Sequence, residues 1–195
     1  LFLTALTALV LTTVAAVAQV EFWKHEWPST DFSKRSVDLG EILSGGPPKD
    51  GIPAVWNPKF YRTSSERELK SREPVITVEI DGQTPRAYPV RYLMWHEIVN
   101  DRIGGLPVAV TFCPLCNASI VFERRVSGRV LDFGTTGLLR KSDLVMYDRQ
   151  TESWWQQFTG TAIIGKFTGT DLRQAPSSIV ACEEFHGPYP EGKVL

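Results

Sequence analysis

Two cysteines separated by two residues, Cys113 and Cys116, are the residues whose types and spacing most clearly support chemistry. Such a pair can chelate one metal ion or close a small disulfide ring. The following residues 118–123, ASIVFE, are rich in β-branched and aromatic side chains and predict a strand, whereas a thioredoxin-type pair opens a helix that lowers the thiol pKa. We therefore expect the pair to lie in a turn between two strands, as in a metal knuckle, with Asn117 in the left-handed conformation.

A metal site at this pair needs further ligands from elsewhere, because a structural zinc site takes four and the sequence holds no second CxxC motif. We predict His96 as the third ligand, since a short strand after Gly104 leads from its helix directly to Cys113. Two thiolates with a histidine or methionine would suit copper, and zinc is the other candidate ion. The other candidate ligands are a carboxylate, Met146, Cys182, His186 and His25. Cys182, His186 and His25 are isolated in the sequence, and such residues more often pack in the core or lie on the surface than bind a metal.

Two other interpretations of the cysteine pair stay open. In the first, the protein is a thiol–disulfide oxidoreductase in which Cys113 attacks and Cys116 resolves the mixed disulfide. In the second, it is a non-catalytic interaction domain whose disulfide only staples the turn. The sequence does not decide whether the protein is an enzyme.

A polar segment with strand periodicity, residues 141–157, is the second region of interest. In an extended strand, Ser153, Trp155 and Gln157 point to the same side. Together with Asp143 and Asp148 they are candidates to line a pocket or to support the metal ligands. The alternative is a hairpin that turns near Asp148 and buries one tryptophan in the core.

These side chains need a scaffold, and the spacing of apolar runs and turn residues predicts one. Short strands at intervals of roughly ten residues indicate an α+β protein with a mainly antiparallel β core, one or two short helices and a loop-rich N-terminal arm. We expect a buried helix over residues 93–103, ended by Gly104 and Gly105. The predicted strands are residues 75–80, 85–90, 107–112, 118–126, 129–133, 144–147, 153–158 and 162–167.

The two ends of the chain suggest export and truncation. Residues 1–18 are uncharged and end in Ala16-Val17-Ala18, the small-x-small form of a signal peptidase site. We expect a signal peptide that is truncated at its start, with an uncleaved membrane tether as the alternative. Residues 19–72 then form the loop-rich arm, and residues 73–195 the β-rich core domain. We expect burial of aromatic side chains to anchor the arm, namely Trp23, Trp27, Trp56, Phe60 and Tyr61. The final residues 193–195 resemble the beginning of a strand, so we expect the domain to continue.

Charge and cysteine content limit the partners. The chain has 21 basic and 22 acidic residues, so it lacks the excess positive charge that nucleic-acid binding through phosphates requires. Its three cysteines are too few for a disulfide scaffold. We predict a periplasmic or extracellular protein that binds no nucleic acid and has no membrane span once the signal is removed; the sequence does not identify its protein or small-molecule partner.

Three sequence blocks resemble the Domain of Unknown Function 3179 family. They are residues 45–60, 73–126 and 131–160, and they contain the WHEIVND, CPLC and MYDRQTxSxW motifs in that order. The resemblance implies an exported protein that usually runs further at its C-terminus. Cys182 falls outside these motifs, and the resemblance supplies no reaction.

Overall fold

The computed structural model describes residues 21–195, so the predicted signal peptide at residues 1–18 lies outside the described residues. The described chain is rich in β-structure, with mainly antiparallel pairing and few helices. Residues 21–26 are helical (α1), and two further helices, α2 and α3, span Val90–His96 and Cys182–His186. The strands, numbered β1 to β17 in chain order, are Ile42–Ser44, Val55–Trp56, Tyr61–Arg62, Pro74–Val78, Arg86–Pro89, Ile98–Ile103, Leu106–Cys113, Ala118–Glu123, Arg125–Val126, Arg129–Val130, Phe133–Arg140, Asp143–Asp148, Trp154–Gln156, Ala162–Ile164, Gln174–Ala175, Ser177–Ala181 and Lys193–Val194.

Three five-stranded sheets hold these strands, besides a short β9–β10 hairpin. Sheet A has the order β1-β11-β12-β13-β14, sheet B the order β15-β8-β7-β6-β2, and sheet C the order β16-β4-β5-β17-β3. The β2–β6 and β5–β17 pairs are parallel, and the other pairs in these sheets are antiparallel. The predicted mainly antiparallel β core is therefore confirmed.

Sheet B lies between the other two sheets, as the burial of β7 shows. From Pro107 to Cys113 the strand is buried on both faces. Val108, Val110 and Phe112 pack in one core cluster with residues of sheet C, whereas Ala109 and Cys113 pack in another with residues of sheet A. This alternation follows from the two-residue period of a strand. It places the first cysteine of the pair between sheets A and B, at the end of a central strand.

The predicted helix over residues 93–103 is wrong in its second half. Helix α2 ends at His96, Glu97 follows with a φ of 57°, and Ile98–Ile103 then forms β6. Ile103 pairs directly with Leu106, so Gly104, with a φ of 57°, sits in a two-residue hairpin turn and is not a helix cap. Residues 98–103 form a strand because their backbone groups pair with β7 in sheet B. This pairing outweighs the local sequence pattern that favours a helix.

The N-terminal arm contributes one strand to each sheet: β1 to sheet A, β2 to sheet B and β3 to sheet C. Its aromatic anchoring is confirmed for Trp23 and Trp27, which are buried against sheet A. It is wrong for Trp56 and Tyr61, which are 40% and 67% exposed. At the other end of the chain, the predicted strand is present as β17. None of the helices in residues 21–195 has the length and apolar character needed to cross a membrane.

Candidate metal centre

The CPLC motif forms the turn between two central strands of sheet B. Strand β7 ends at Cys113, β8 begins at Ala118, and these two residues pair across the turn. Within it, the backbone N–H of Cys116 donates to the carbonyl oxygen of Cys113 at 3.2 Å. Asn117 has a φ of 48°, in the left-handed region. The predicted strand–turn–strand setting of the pair is therefore confirmed.

A second turn, between β11 and β12 of sheet A, meets the CPLC turn. Lys141 and Ser142 form its two central positions with φ values of 52° and 62°, which are typical of the tight hairpin turn that matches strand twist. The Sγ of Cys116 lies 3.3 Å from the carbonyl oxygen of Ser142 and 3.5 Å from Oδ1 of Asp143. The Sγ atoms of Cys113 and Cys116 lie 2.8 Å apart, and both thiols are free.

Asp143 is fixed in place by partners on the neighbouring strand. It is 5% exposed, and its Oδ2 accepts hydrogen bonds from the Nε2 of Gln156 and, at 2.9 Å, from the backbone N–H of Phe158. Its Oδ1 is thereby directed to the sulfur of Cys116. The sequence predicts Asp143 only as a supporting residue and does not predict Gln156, which alternates to the side opposite Gln157 in an extended strand.

The electrostatic environment of the pair opposes a free thiolate. Burial and the neighbouring Cys113 and Asp143 together raise the pKa of the Cys116 thiol to about 12. Within residues 21–195, no Lys, Arg or His side chain donates a hydrogen bond to either sulfur. The ligand atoms of Cys113, Cys116 and Asp143 all lie within 4.8 Å of one another. This arrangement brings two sulfur donors and a carboxylate oxygen close together.

The spacing of the two sulfurs is intermediate between two chemical states. A disulfide needs about 2.05 Å between sulfurs. Two thiolates on one tetrahedral zinc ion, with Zn–S bonds of about 2.3 Å, are separated by about 3.8 Å. The distance here is 2.8 Å, so a movement of roughly one ångström by the half-buried Cys116 would reach either state.

The predicted third ligand, His96, has other contacts. Its Nδ1 lies 2.8 Å from the carbonyl oxygen of Pro53, at the end of α2. The ring also lines an open cavity of about 260 Å³ that lies against Val55, Lys59, Tyr92 and Leu195. His96 does not belong to the group of ligand atoms around Cys113. Its role as a ligand stays a prediction from the sequence, whereas Asp143 supplies the carboxylate oxygen that lies beside the two sulfurs.

The other predicted pocket residues are buried in the fold. Asp148 accepts hydrogen bonds from Nε1 of Trp155 at 2.9 Å and from the backbone N–H of Thr151 at 2.7 Å, and thereby closes the β12–β13 hairpin. Ser153 Oγ accepts from the Phe167 backbone at 3.1 Å. These contacts fit the hairpin interpretation of the segment, in which the polar groups hold the turn.

Gln157 lies beneath the CPLC turn. Its Nε2 donates to Oγ1 of Thr111 at 2.9 Å and to the carbonyl oxygen of Ala118 at 3.4 Å. Its Oε1 is buried and has no hydrogen-bond partner among the described residues. The side chain therefore supports the strand ends on either side of the turn.

Glu97 gives the region a pH dependence that can be measured. Burial raises the pKa of this carboxyl from 4.5 to about 7. As the pH rises through this window the unfolded chain loses the proton first, so the free energy of unfolding falls. We expect the free energy of unfolding of Glu97→Gln to fall less than that of the wild type between pH 4.5 and about 7. Below pH 4.5 the two proteins should show nearly the same pH dependence. Urea unfolding at several pH values between 4.5 and about 7 measures this free energy. Glu68→Gln, which changes an exposed residue, is the control. Equal pH profiles for wild type and Glu97→Gln would contradict the prediction.

Comparison with known proteins supplies a family. The model of a family described as a protein of unknown function (DUF3179) matches residues 49–195. No curated protein and no solved structure matches the chain. The matched range includes Cys113, Cys116 and Asp143 and covers more than half of the sequence. The chain therefore belongs to the DUF3179 family.

Proposed function

We propose that the protein binds one soft or borderline metal ion, zinc or copper, through Cys113, Cys116 and Asp143. One observation carries the proposal: two sulfurs, a carbonyl oxygen and a carboxylate converge from two turns, and no cationic side chain donates to the sulfurs in the described part of the chain. A bound cation would balance the charge of the Asp143 carboxylate and of the thiolates that form when the ion binds. It would also hold both thiols as thiolates, which are the metal-binding form of cysteine.

The third donor favours zinc over copper(I). Thiolates suit both ions, whereas a carboxylate is a common zinc ligand and a poor one for copper(I). Gln156 and the Phe158 backbone would orient this carboxylate, as the hydrogen-bond partners of metal ligands do elsewhere. Three protein ligands leave a fourth position, and Cys116 is more exposed than the buried Cys113, so an ion would reach the site from the side of Cys116.

Metal content and free thiols, measured together on the full chain purified without oxygen, test this proposal. We expect Cys113→Ser to lower the bound zinc or copper by one equivalent. Leu115→Ser is the matched control, because it changes an exposed residue of the same turn and keeps both sulfurs. An equal metal content in wild type and Cys113→Ser would refute the proposal.

Thiol–disulfide exchange is the second candidate, and the 2.8 Å between the sulfurs is the observation that favours it. The pair would pass two electrons to a substrate disulfide, leaving the substrate as a dithiol and joining Cys113 to Cys116. Cys113 is only 1% exposed, so the half-buried Cys116 is better placed to attack than the predicted Cys113. The raised pKa of Cys116 opposes this chemistry. Free thiols at both Cys113 and Cys116 without metal would favour exchange, and a Cys113–Cys116 disulfide that resists reduction would favour a structural staple.

A further inference from the structure

A second group of ligand atoms lies in sheet C and the helix that follows it. Cys182 and His186 are four residues apart on α3, so they share one face of the helix. The Sγ of Cys182 lies 3.3 Å from Nε2 of His186. A carboxylate oxygen of Glu66 completes a set of three ligand atoms that all lie within 4.8 Å of one another. Cys182 and His186 stand alone in the sequence, because nothing in the local pattern predicts α3 or the approach of Glu66.

The backbone holds the three side chains in this arrangement. The N–H of Cys182 donates to the carbonyl oxygen of Glu73 at 2.8 Å, which fixes the start of α3 beside β4. Glu66 ends the short 3₁₀ turn Thr63–Ser65, and its Oε1 accepts a hydrogen bond from the backbone N–H of Leu69 at 2.9 Å. Thr63 is itself tied to the C-terminal segment through the carbonyl oxygen of Gly192 at 2.8 Å. Two segments far apart in sequence therefore meet at a defined distance.

We propose that Cys182, His186 and Glu66 form a second zinc site, separate from the Cys113–Cys116 centre. Sulfur, imidazole nitrogen and carboxylate oxygen are the three zinc ligand types in proteins. A tetrahedral zinc ion would hold sulfur and nitrogen about 3.6 Å apart, given Zn–S of about 2.3 Å and Zn–N of about 2.0–2.1 Å. The observed 3.3 Å requires only a small adjustment.

The charges around the site attract a cation. Carboxylates of Glu66, Glu73 and Glu183 all act electrostatically on the Cys182 thiol, and because Arg91 pairs with the Glu73 carboxylate, Glu66 and Glu183 supply most of the attraction. A catalytic cysteine–histidine pair needs a thiol that substrate can reach, whereas Cys182 is 2% exposed and packs in a core cluster with Phe185. Water would fill the fourth position, since His186 and Glu66 are half-buried. The ion would then join the N-terminal arm to α3 and stabilise both.

The test removes the first centre so that the two sites are measured independently. The full chain carrying Cys113→Ser and Cys116→Ser is titrated with Zn²⁺, and Co²⁺ is used as a spectroscopic probe of thiolate ligation. We expect one equivalent of zinc, a Tm that rises on zinc addition, and a sulfur-to-cobalt charge-transfer band. Cys182→Ser in this background should abolish all three effects.

Conservative changes at the half-buried ligands keep the test valid if Cys182→Ser fails to fold. In the same background we expect His186→Gln and Glu66→Gln each to lower zinc affinity by more than about 10-fold, the smallest effect typical of even the outer partners of a metal site. The exposed residues His25 and Glu68 provide matched controls, His25→Gln and Glu68→Gln, which should bind zinc as the background does. Absence of zinc binding in the background protein, or equal affinities in the ligand and control variants, would overturn the proposal and leave the first centre unaffected.

Discussion

Asp143→Asn is expected to weaken zinc binding at the CPLC centre by more than about 100-fold, because loss of the hydrogen-bond partners of a metal ligand alone costs about 10- to 100-fold. The change removes the only carboxylate of the three-residue ligand group, and the size of the side chain stays nearly the same. The asparagine oxygen can still accept from Gln156 and from the Phe158 backbone, so the fold should be retained. Competition with a chromophoric chelator, in a background that carries Cys182→Ser to remove the second site, measures the affinity of this centre alone.

Asp81→Asn is the matched control for this variant, because Asp81 is exposed and lies in the turn after β4, away from both cysteines. It makes the same change of net charge, so it separates a local ligand effect from a general loss of attraction for cations. Similar zinc affinities for Asp143→Asn and Asp81→Asn would show that Asp143 is not a ligand. The metal would then rest on the two thiols, and His96 would return as the third candidate.

The part of the site set by local sequence could be predicted. The β-branched and aromatic residues after Cys116 exclude the helix of a redox motif, and Asn117 supplies the left-handed position that ends the turn. Both features depend only on neighbouring residues. The strand–turn–strand setting of the pair follows from them and matches the pairing of Cys113 with Ala118.

The third donor could not be predicted, because it depends on pairing between strands far apart in sequence. The predicted strand over residues 129–133 reaches only the first residue of β11, since Gly134 and Gly137 are residues that usually interrupt a strand. Gly137 instead has a φ of 74° at an irregularity of the β11–β12 pair, where an added Cβ would lie 1.9 Å from the carbonyl oxygen of Pro47. The turn at Lys141 and Ser142 also lacks the Asn-Gly or Asp-Gly signal of its type.

The same limit applies to the scaffold and to the second zinc site. Gly104 can end a helix or turn a hairpin, and only the partner strand β7 decides between them. Cys182 and His186 become neighbours only once α3 forms, and Glu66 reaches them from the N-terminal arm. Periodicity and turn residues therefore predict individual strands, whereas sites assembled between strands need the tertiary structure.

Trp154→Ala is expected to lower the free energy of unfolding by about 3–5 kcal/mol, the usual cost of truncating a fully buried tryptophan. The indole is 0% exposed, and it makes edge-to-face contacts with Trp23, Trp27 and Phe32 at centroid distances of 5.2, 5.3 and 5.4 Å. Its Nε1 has no hydrogen-bond partner in residues 21–195, so the substitution breaks no hydrogen bond of the indole and leaves no polar group orphaned.

These three aromatic contacts come from the arm. The lower free energy of unfolding of Trp154→Ala should therefore be accompanied by release of the arm from sheet A. Urea unfolding followed by far-UV circular dichroism gives the free energy, and tryptic cleavage at Lys34 or Arg35 reports exposure of the arm. Trp56→Ala is the control, since that indole is 40% exposed and its loss should cost less. Equal costs for the two substitutions, or an unchanged cleavage rate in Trp154→Ala, would mean that the arm is held by its strands β1 to β3 and not by aromatic packing.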